Sequence, residues 1–330
     1  MPPVVLLRWG LLGTAHINRL LIPAIRATGR SVVHSIASRD AARASDYAAR
    51  WDIPRVETSY DALLASDLDI IYIPLPNSLH VSWTVRALEA GKHVLCEKPL
   101  ALTPDGVDAI ATASARSGRV ATEGFMYRHH ALTGRVQDLV AGGAIGEVRS
   151  IAGVFSYQRS RDHDVRLDPT LGGGALWDVG CYPVSYAQLI AGADAVSVTA
   201  EQQLGPTGVD EQFSGVIAYA NGVDAQVRAS FRAASETWMR IAGTTGTIEI
   251  ERPFRPHPID QIHIARNAQR ETIEVTGNAI FVDEVRDIED AALGVKPPAM
   301  SLAESRSLAS TLHALITSAR IGEPVVVPAR

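Results

Sequence analysis

The feature that most constrains the fold is an alternation of short apolar runs and helical segments over the first 125 residues. Apolar runs such as 4–12, 31–38 and 69–75 are each followed by a segment with helical periodicity. Strands that alternate with helices of roughly 10–15 residues indicate right-handed βαβ units and a parallel sheet covered on both faces. We therefore predict an α/β domain with a parallel sheet over residues 1–125.

The pattern changes after residue 125, where the strands read as antiparallel. The runs 212–219 and 225–231 flank Asn221-Gly222, a pair that favours a type I′ hairpin, and a second hairpin surrounds Gly243-Thr-Thr-Gly246. Two helical segments follow, 281–293 and 302–319. We predict that residues 126–330 form an α+β domain with an open, mainly antiparallel sheet.

Composition excludes several classes of protein. The 330 residues are 46% hydrophobic with a net charge of −5, which is unlike a disordered chain or a dedicated nucleic-acid binder. The first apolar run is interrupted by Arg8 and ends at Gly13, so it is too short to span a bilayer, and no basic region precedes it as in a signal peptide. Two cysteines suit a reducing compartment. We expect a cytoplasmic protein without membrane or nucleic-acid partners.

The turn after the first strand is the first candidate site. It occupies the place of the G-x-G-x-x-G turn of dinucleotide-binding folds, with Ala15 and Asn18 at the second and third glycine positions. The cofactor phosphates would rest on the amide groups at the start of the following helix. The residues that we expect to bind cofactor here are Gly13, Thr14, Ala15, His16 and Ile17. An ordinary strand-to-helix turn is the alternative.

The end of the second strand bears on the choice between NADP and NAD. A carboxylate there would bind the ribose 2′-hydroxyl of NAD, whereas this strand ends in Ser38-Arg39, a hydroxyl and a cation suited to a phosphate. Asp40 precedes a helix and is expected to cap it. We therefore predict NADP as cofactor in preference to NAD; the alternative is that Arg39 is one of many surface arginines.

Two further strand ends carry candidate residues. Pro74, Leu75, Asn77 and His80 follow an apolar strand, in a loop placed to contact the ribose or nicotinamide, although Asn77 and His80 equally suit a helix-capping turn. Glu97 and Lys98 come at the end of the strand 93–96, and Lys98 is one of only three lysines in the chain. We favour a functional Lys98; the alternative is a solvent-facing lysine beside a salt-bridged Glu97.

The segment Gly172-Gly-Gly-Ala-Leu-Trp-Asp178-Val-Gly180-Cys-Tyr182 is the last candidate. Asp178 and Tyr182 are four residues apart, so on an α-helix both side chains would lie on one face. Gly180 would leave room for a flat ring to approach the backbone. Tyr182 needs a nearby cation to act as an acid or base near neutrality, and Lys98 is a candidate for that cation. The alternative is a structural role, in which Tyr182 is buried in the core and hydrogen-bonded to an aspartate.

Other arrangements are absent from the sequence. It contains no Tyr-x-x-x-Lys pair of the short-chain dehydrogenases, no C-x-x-C or H-E-x-x-H zinc motif, no G-x-S-x-G and no Walker loop. We therefore expect no metal in the site.

Taken together, the motifs resemble the glucose–fructose oxidoreductase/inositol dehydrogenase (Gfo/Idh/MocA) family. The resemblance is carried in order by Trp9-Gly-Leu-Leu-Gly-Thr-Ala, Pro76-Asn-x-x-His80, Glu97-Lys-Pro, Glu123-Gly-Phe-Met-Tyr-Arg128, the Asp178-Val-Gly-Cys-Tyr182 run and Gly243-Thr-Thr-Gly-Thr-Ile. It implies an N-terminal Rossmann domain for NAD(P), and it implies that residues 126–330 form an α+β domain for substrate binding and oligomerisation, whose open sheet covers the substrate and often forms a dimer interface. Many members have a histidine at the position of Tyr182. The tyrosine resembles the branch that contains dihydrodiol dehydrogenase and NADP-linked D-xylose dehydrogenase. In that branch Lys98 and Tyr182 match the catalytic pair; Asp178 matches a supporting aspartate of the histidine branch.

The resulting hypothesis is an NADP-dependent oxidoreductase that transfers hydride between the nicotinamide and a hydroxyl or carbonyl carbon of a sugar or cyclic diol. Tyr182 would exchange the proton and Lys98 would hold the substrate oxygen. Arg128, Arg161, His163 and Arg166 are expected to bind substrate together with Tyr182, and a homodimer or homotetramer is expected. The rival hypotheses are a non-catalytic NADP(H) sensor on the same fold and a reductase of a planar, non-sugar substrate.

Overall fold

The computed structural model describes residues 6–159, 164–267 and 269–328. They form two compact units. The first comprises the described residues up to Ala101, Asp105–Phe125 and Phe281–Ser305. The second comprises Leu102–Pro104, Met126–Ile280 and the described residues from Arg306 onward.

The first unit contains a six-stranded parallel sheet, which confirms the α/β prediction. Its order, β3-β2-β1-β4-β5-β6, is that of a Rossmann dinucleotide-binding fold. The strands are β1 (Leu7–Leu12), β2 (Ser31–Ala37), β3 (Arg55–Glu57), β4 (Ile70–Ile73), β5 (His93–Glu97) and β6 (Ala121–Gly124). All the pairings are parallel, so the carboxyl ends of the strands share one edge of the sheet.

Helices cover this sheet because each has an apolar face. In α1 (Asn18–Thr28), for example, Leu21, Ile22 and Ile25 are fully buried. The other helices of the unit are α2 (Ala41–Trp51), α3 (Tyr60–Ala65), α4 (His80–Glu89), α5 (Pro104–Ser117) and α8 (Val282–Ala292). Helix α8 comes from near the end of the chain and packs against α1.

The second unit contains a nine-stranded sheet of order β14-β13-β12-β11-β7-β10-β9-β8-β15. Only β7 and β10 pair in parallel among these strands, so the prediction of a mainly antiparallel sheet is confirmed. The strands are β7 (Val148–Ser156), β8 (Ala195–Leu204), β9 (Asp210–Tyr219), β10 (Asp224–Ser230), β11 (Glu236–Gly243), β12 (Thr247–Ile250), β13 (Ile259–Arg266), β14 (Gln269–Thr276) and β15 (Val325–Val326). The helices are α6 (Ala131–Ala141), α7 (Cys181–Ala191) and most of α9 (Leu302–Ile321).

Two expectations need correction. The hairpin at Asn221-Gly222 exists, but its turn is not type I′, which needs a positive φ at both residues. Gly222 has a φ of 82°, whereas Asn221 lies outside the positive-φ region, and the Gly222 amide donates to the Tyr219 carbonyl at 3.0 Å. The second unit also differs from one continuous segment 126–330, because Phe281–Ser305 packs with the first unit.

No helix among the described residues is both long and apolar enough to cross a lipid bilayer.

Candidate active site

The turn after β1 is built by a glycine and a buried asparagine. Gly13 has a φ of 103°, a conformation that favours glycine, and its amide donates to the Ala37 carbonyl at 2.8 Å. The side-chain amide of Asn18 donates to the Gly13 carbonyl at 2.9 Å, and Asn18 is fully buried. The residue at the third glycine position therefore holds the turn together by a hydrogen bond.

Helix α1 begins directly after this turn. The first amides to make helical bonds are those of Asn18 and Arg19, which donate to the carbonyls of Ala15 and His16. The amide groups of the residues before Asn18 therefore lie ahead of the helical bonds. Ile17 is the N-cap residue, and it makes no side-chain capping bond. The helix start is thus suited to an anion, as the sequence predicted for Gly13 to Ile17.

The end of β2 places Asp40 as the N-cap of α2, which confirms that prediction. Its Oδ1 accepts the Arg43 amide at 3.0 Å, while its own amide donates to the Ser38 hydroxyl at 3.3 Å. Arg39 is exposed, and its charge lowers the pKa of Tyr60, although burial raises that pKa more. The Arg43 guanidinium donates to the Thr14 carbonyl at 3.4 Å. Sequence reasoning missed Arg43, whose position three residues after the cap is the only local signal.

His80 is fully buried and joins two loops of the first unit. Its Nδ1 lies 2.7 Å from the Pro99 carbonyl and its Nε2 lies 2.7 Å from the Leu75 carbonyl. Burial lowers the pKa of His80. Because both ring nitrogens face backbone carbonyls, His80 fixes the loop that contains Pro74, Leu75 and Asn77 and acts as a positioning residue.

The Glu97–Lys98 segment ends β5 at the same sheet edge as the Gly13 turn. Tyr72 donates its hydroxyl to Glu97 Oε1 at 2.6 Å, and the Leu100 amide donates to Glu123 Oε1 at 2.9 Å. Burial and the Glu97 carboxylate raise the pKa of Tyr72 well above its ordinary value. The charge of Lys98 adds to the lowering of the His80 pKa, so the two side chains lie near each other.

In the second unit, Tyr182 lies in the first turn of α7. Its ring is 3% exposed and packs against Phe155 and Phe254, with ring centres 5.4 and 5.6 Å away. Its hydroxyl donates to the Met126 sulfur at 3.6 Å, and a thioether is a weak acceptor. The tyrosine therefore presents a buried hydroxyl in an aromatic surrounding.

A π-helical segment, Leu176–Gly180, precedes α7 and carries Asp178. Its i→i+5 bonds wind more widely than those of an α-helix. That Asp178 and Tyr182 share one face of the helix stays a prediction. Asp178 Oδ2 accepts the Tyr157 hydroxyl at 2.6 Å, and Oδ1 lies 3.0 Å from Arg166 Nε. These are different groups from those around Tyr182.

The surroundings of Asp178 form a network of opposite charges. Arg159 donates to the Tyr157 hydroxyl and pairs with Asp164, whose Oδ1 also accepts the Arg166 amide at 2.9 Å. Burial and the Asp178 carboxylate raise the pKa of Tyr157. Burial lowers the pKa of Arg166, but Asp178, Tyr157 and Asp164 together raise it above its ordinary value, so this arginine stays charged. Sequence reasoning missed Tyr157 and Arg159 as site residues. The Tyr157 partner, Asp178, is 21 residues away, and no motif marks Arg159.

The remaining expected residues have different outcomes. Gly180 does not leave room for a ring, because a Cβ there would lie 3.1 Å from Leu176 and 3.2 Å from Ala229. Arg128 lies half-buried in a 3₁₀ turn, Met126–His129. Arg161 and His163 lie outside the described residues. Within the described part of the chain, no three His, Cys, Asp or Glu side chains are grouped to hold a metal ion.

Comparison with known proteins identifies the family. Residues 7–125 match the oxidoreductase family with an NAD-binding Rossmann fold, and residues 133–249 match the GFO/IDH/MocA C-terminal domain. The chain belongs to the Gfo/Idh/MocA oxidoreductase family. The resemblance stated from the sequence motifs is thereby confirmed.

Similar members of the family match over nearly their full length. D-xylose 1-dehydrogenase (NADP(+)) 2 of Haloferax volcanii is 37% identical over 324 residues, which are 96% of this chain and 98% of that protein. The dTDP-3,4-didehydro-2,6-dideoxy-alpha-D-glucose 3-reductase of Actinomadura kijaniata is 34% identical and covers 95% of this chain and 96% of its own. The crystal structure of KijD10, a 3-ketoreductase from Actinomadura kijaniata, with NADP and TDP-benzene has a TM-score of 0.90 at 33% identity, over 95% of this chain and 98% of that chain.

Proposed function

We propose that this chain is an NADP-dependent oxidoreductase that transfers hydride between the nicotinamide and a hydroxyl or carbonyl carbon of a sugar or cyclic diol. The observation that carries the proposal is the edge of the six-stranded sheet, where the Gly13 turn follows β1 and Lys98 follows β5. A relative of nearly equal length is an NADP-linked sugar dehydrogenase, which supports the same substrate class.

The residues at this edge fit a dinucleotide. Gly13 has no Cβ at the point where the backbone turns, and the start of α1 has no side-chain cap to compete with a phosphate. Thr14 to Ile17 would hold the pyrophosphate, while the loop of Leu75 and Asn77 and the end of β5 at Glu97 would hold the nicotinamide ribose. When bound, NADP supplies the hydride chemistry.

The choice of NADP over NAD rests on the end of β2. Asp40 is committed to capping α2, so its carboxylate is not directed to a ribose 2′-hydroxyl. Ser38, Arg39 and Arg43 supply a hydroxyl and two guanidinium groups for the 2′-phosphate. The relatives that match nearly the whole chain include an NADP-linked dehydrogenase and a ketoreductase bound to NADP.

We assign proton transfer to Tyr182 and binding of the substrate oxygen to Lys98. In the oxidative direction Tyr182 would accept the hydroxyl proton, and in the reductive direction it would donate one to the carbonyl oxygen. Its buried hydroxyl donates to the Met126 sulfur in the structure, and we propose that it donates to a substrate oxygen during the reaction. Lys98 would hold that oxygen, and its charge would favour the tyrosinate form.

Asp178 and the arginines serve this pair less directly. We propose that Asp178 keeps Arg166 and Tyr157 in place, since its two oxygens face these groups. Arg166 and Arg128 would then bind substrate hydroxyls, together with Arg161 and His163. Such charge-assisted bonds fix the orientation of a polyol more than they add affinity.

The test is a fluorescence titration of the purified protein with NADPH and with NADH, followed by turnover on aldoses, ketosugars and cyclic diols. We expect tighter binding of NADPH and a substrate-dependent absorbance change of the nicotinamide. NADPH binding without turnover on any substrate would favour a sensor. Turnover of an apolar planar substrate alone would favour the non-sugar reductase.

We further propose a homodimer formed through the open face of the nine-stranded sheet. Val216, 46% exposed, lies on this face together with Trp238, Glu201 and Arg228, which supply apolar surface and charges of both signs for a two-fold contact. Light scattering should give twice the mass of the chain for the wild type and less for Val216→Arg. A mass of four chains would indicate a tetramer.

A cytoplasmic location is proposed on the cysteines. Cys96 and Cys181 are the two cysteines of the chain, and both are buried and free. Reduced, buried thiols suit a compartment that keeps thiols reduced. Fractionation of cells that express the protein tests this location.

A further inference from the structure

The carboxylate of Asp210 lies at the start of the helical segment that carries Asp178 and Tyr182. Asp210 is the first residue of β9, is 3% exposed, and accepts the Leu176 amide at 2.7 Å through Oδ2. We propose that Asp210 is a positioning residue, which fixes the Leu176–Gly180 segment and, through it, Tyr182 and Asp178. The inference rests on the proposed function of these two residues.

The helix start offers no local group for this task. The first amide groups of a helix need partners from outside it, which a side chain at the N-cap usually supplies. Here the N-cap is Ala175, which makes no side-chain capping bond, and Gly172 to Gly174 before it have no side chains. A residue 34 positions further along the chain fills the role. Its carboxylate also suits the positive end of a helix dipole.

Gly174 makes this approach possible. It has a φ of 131°, and a Cβ there would lie 2.1 Å from Asp210 Oδ1, far inside the closest contact that real atoms make. The Asp178 amide donates to the Gly174 carbonyl at 3.0 Å. One glycine thus contacts the carboxylate on one side and begins the helical bonding that holds Asp178 on the other.

The same turn holds the loop that supplies Arg166. The amides of Gly173 and Gly174 donate to the carbonyls of Asp168 and Arg166, both at 2.9 Å. A Cβ at Gly173 would lie 2.5 Å from the Arg166 carbonyl oxygen. The Arg166 side chain returns to Asp178 Oδ1. Movement of the turn would therefore displace Arg166 and Asp178 together.

The carboxylate is buried despite a cost. Burial raises the pKa of Asp210 to about 7, against the backbone bonds from Leu176 and Ala175 and the charge of Arg320, which lower it. A buried carboxyl group costs free energy unless it is hydrogen-bonded. An apolar side chain would fill the space without this cost. We therefore attribute the presence of an aspartate at position 210 to the hydrogen bonds that it accepts from backbone amides.

Three variants separate positioning from bulk stability. Asp210→Ala removes the acceptor, Asp210→Asn keeps an acceptor oxygen without the charge, and Glu211→Gln changes the neighbouring acid of the same strand. Hydrogen exchange over residues 175–186 is measured first, without substrate. Steady-state kinetics with saturating NADPH follow, on whichever sugar or diol the wild type converts.

We expect Asp210→Ala to speed exchange of the Leu176 amide at least tenfold and to lower kcat ten- to a hundredfold, with KM changed less than threefold. Asp210→Asn should stay within about threefold of the wild type on both measures, and Glu211→Gln within twofold. If Asp210→Ala does not fold, Asp210→Ser replaces it, because a serine hydroxyl is too short to reach the amide.

Two results would overturn the inference. Unchanged exchange at Leu176 in the alanine variant would show that Asp210 does not hold the segment. Faster exchange with an unchanged kcat would show that the segment does not position the reacting groups. If the wild type converts no sugar or diol, the proposed function fails, while the exchange measurement still judges whether Asp210 holds the segment.

Discussion

Gly13 and Gly174 each form a turn that precedes a helix, but the amino ends of the two helices differ in what binds them. In the first unit, Gly13 turns the chain into α1, whose start has no side-chain cap. In the second unit, Gly174 turns the chain into the Leu176–Gly180 segment, whose first amide is bound by Asp210. A helix start attracts an anion in either case. We propose that the first binds the cofactor, whereas the second is occupied by a side chain of the protein itself.

The group that holds each turn distinguishes a ligand-binding turn from a rigid structural support. The Gly13 turn is held by the Asn18 side chain, which donates to the Gly13 carbonyl and so does not occupy an amide group of the turn. The Gly174 turn is held from in front by a carboxylate, which leaves no place for an external anion. The first arrangement suits binding, and the second suits the placement of Tyr182.

The largest effect should come from removing the proton donor. Tyr182→Phe should lower kcat by roughly 10²–10⁴-fold, the usual contribution of general acid–base catalysis, while NADPH affinity stays within twofold. Tyr186→Phe is the matched control, because it removes a hydroxyl from a buried tyrosine one turn further along α7. Rapid-mixing and steady-state assays measure both. A Tyr182→Phe enzyme with near-wild-type kcat would contradict the assignment.

The supporting carboxylate should be visible in the pH dependence of stability. Asp210 has a pKa of about 7 in the folded protein, above the ordinary value of a carboxyl group, so the folded state binds more protons than the unfolded state between those values. Its contribution is fully present below about pH 4 and is lost as the pH rises through 7, by about 3–4 kcal/mol at most.

Asp210→Asn should remove this slope, measured by urea unfolding at pH 5, 6, 7 and 8. His93 in the first unit acts in the opposite sense, because burial lowers its pKa to about 4 and its contribution is lost as the pH falls through that value. Both proteins contain His93, so the difference between their free energies of unfolding at each pH does not include the His93 contribution. Equal slopes in the two proteins would contradict the burial of an ionisable Asp210.

The first unit was the more predictable from sequence, since its elements are set by local patterns. Helix α5, for example, begins at Pro104, because the fixed φ of proline suits the first position of a helix. Asp40 was recognised as a cap because its partner, the Arg43 amide, is three residues away. The return of α8 to this unit was not predicted, since an amphipathic pattern does not say which sheet it covers.

Less of the second unit could be predicted from the sequence, because residues that contact each other there lie far apart in the chain. Strands β13 and β14 were missed, as β14 is an exposed edge strand of mostly polar residues without an apolar alternation. Asp178 was recognised, but its partner Tyr157 is 21 residues away and Asp210 is further still. The π segment also shifts the register after Asp178, and no pattern in the residues predicts it.

A smaller effect should come from Gly13→Ala. A non-glycine residue at a φ of 103° costs roughly 1–3 kcal/mol, and relief of that strain would move the phosphate turn. We expect at least a tenfold rise in the Kd for NADPH, measured by fluorescence. Gly29→Ala is the control, since Gly29 ends α1 with a φ of 68° and open space at its Cβ. That variant should lose stability without losing NADPH affinity; equal losses of affinity would contradict a local effect.

The smallest effect concerns the 2′-phosphate, because its ligands are exposed and shared. Arg39→Ala should raise the Kd for NADPH about tenfold, and no more, since Arg43 is bonded to the Thr14 carbonyl and remains beside the turn. NADH affinity should change less than twofold, as NADH lacks the phosphate. Arg50→Ala, at the other end of α2, should alter neither affinity. Equal weakening of NADPH and NADH would mean that Arg39 supports the turn itself. The open helix start would then bind the pyrophosphate without distinguishing the two cofactors.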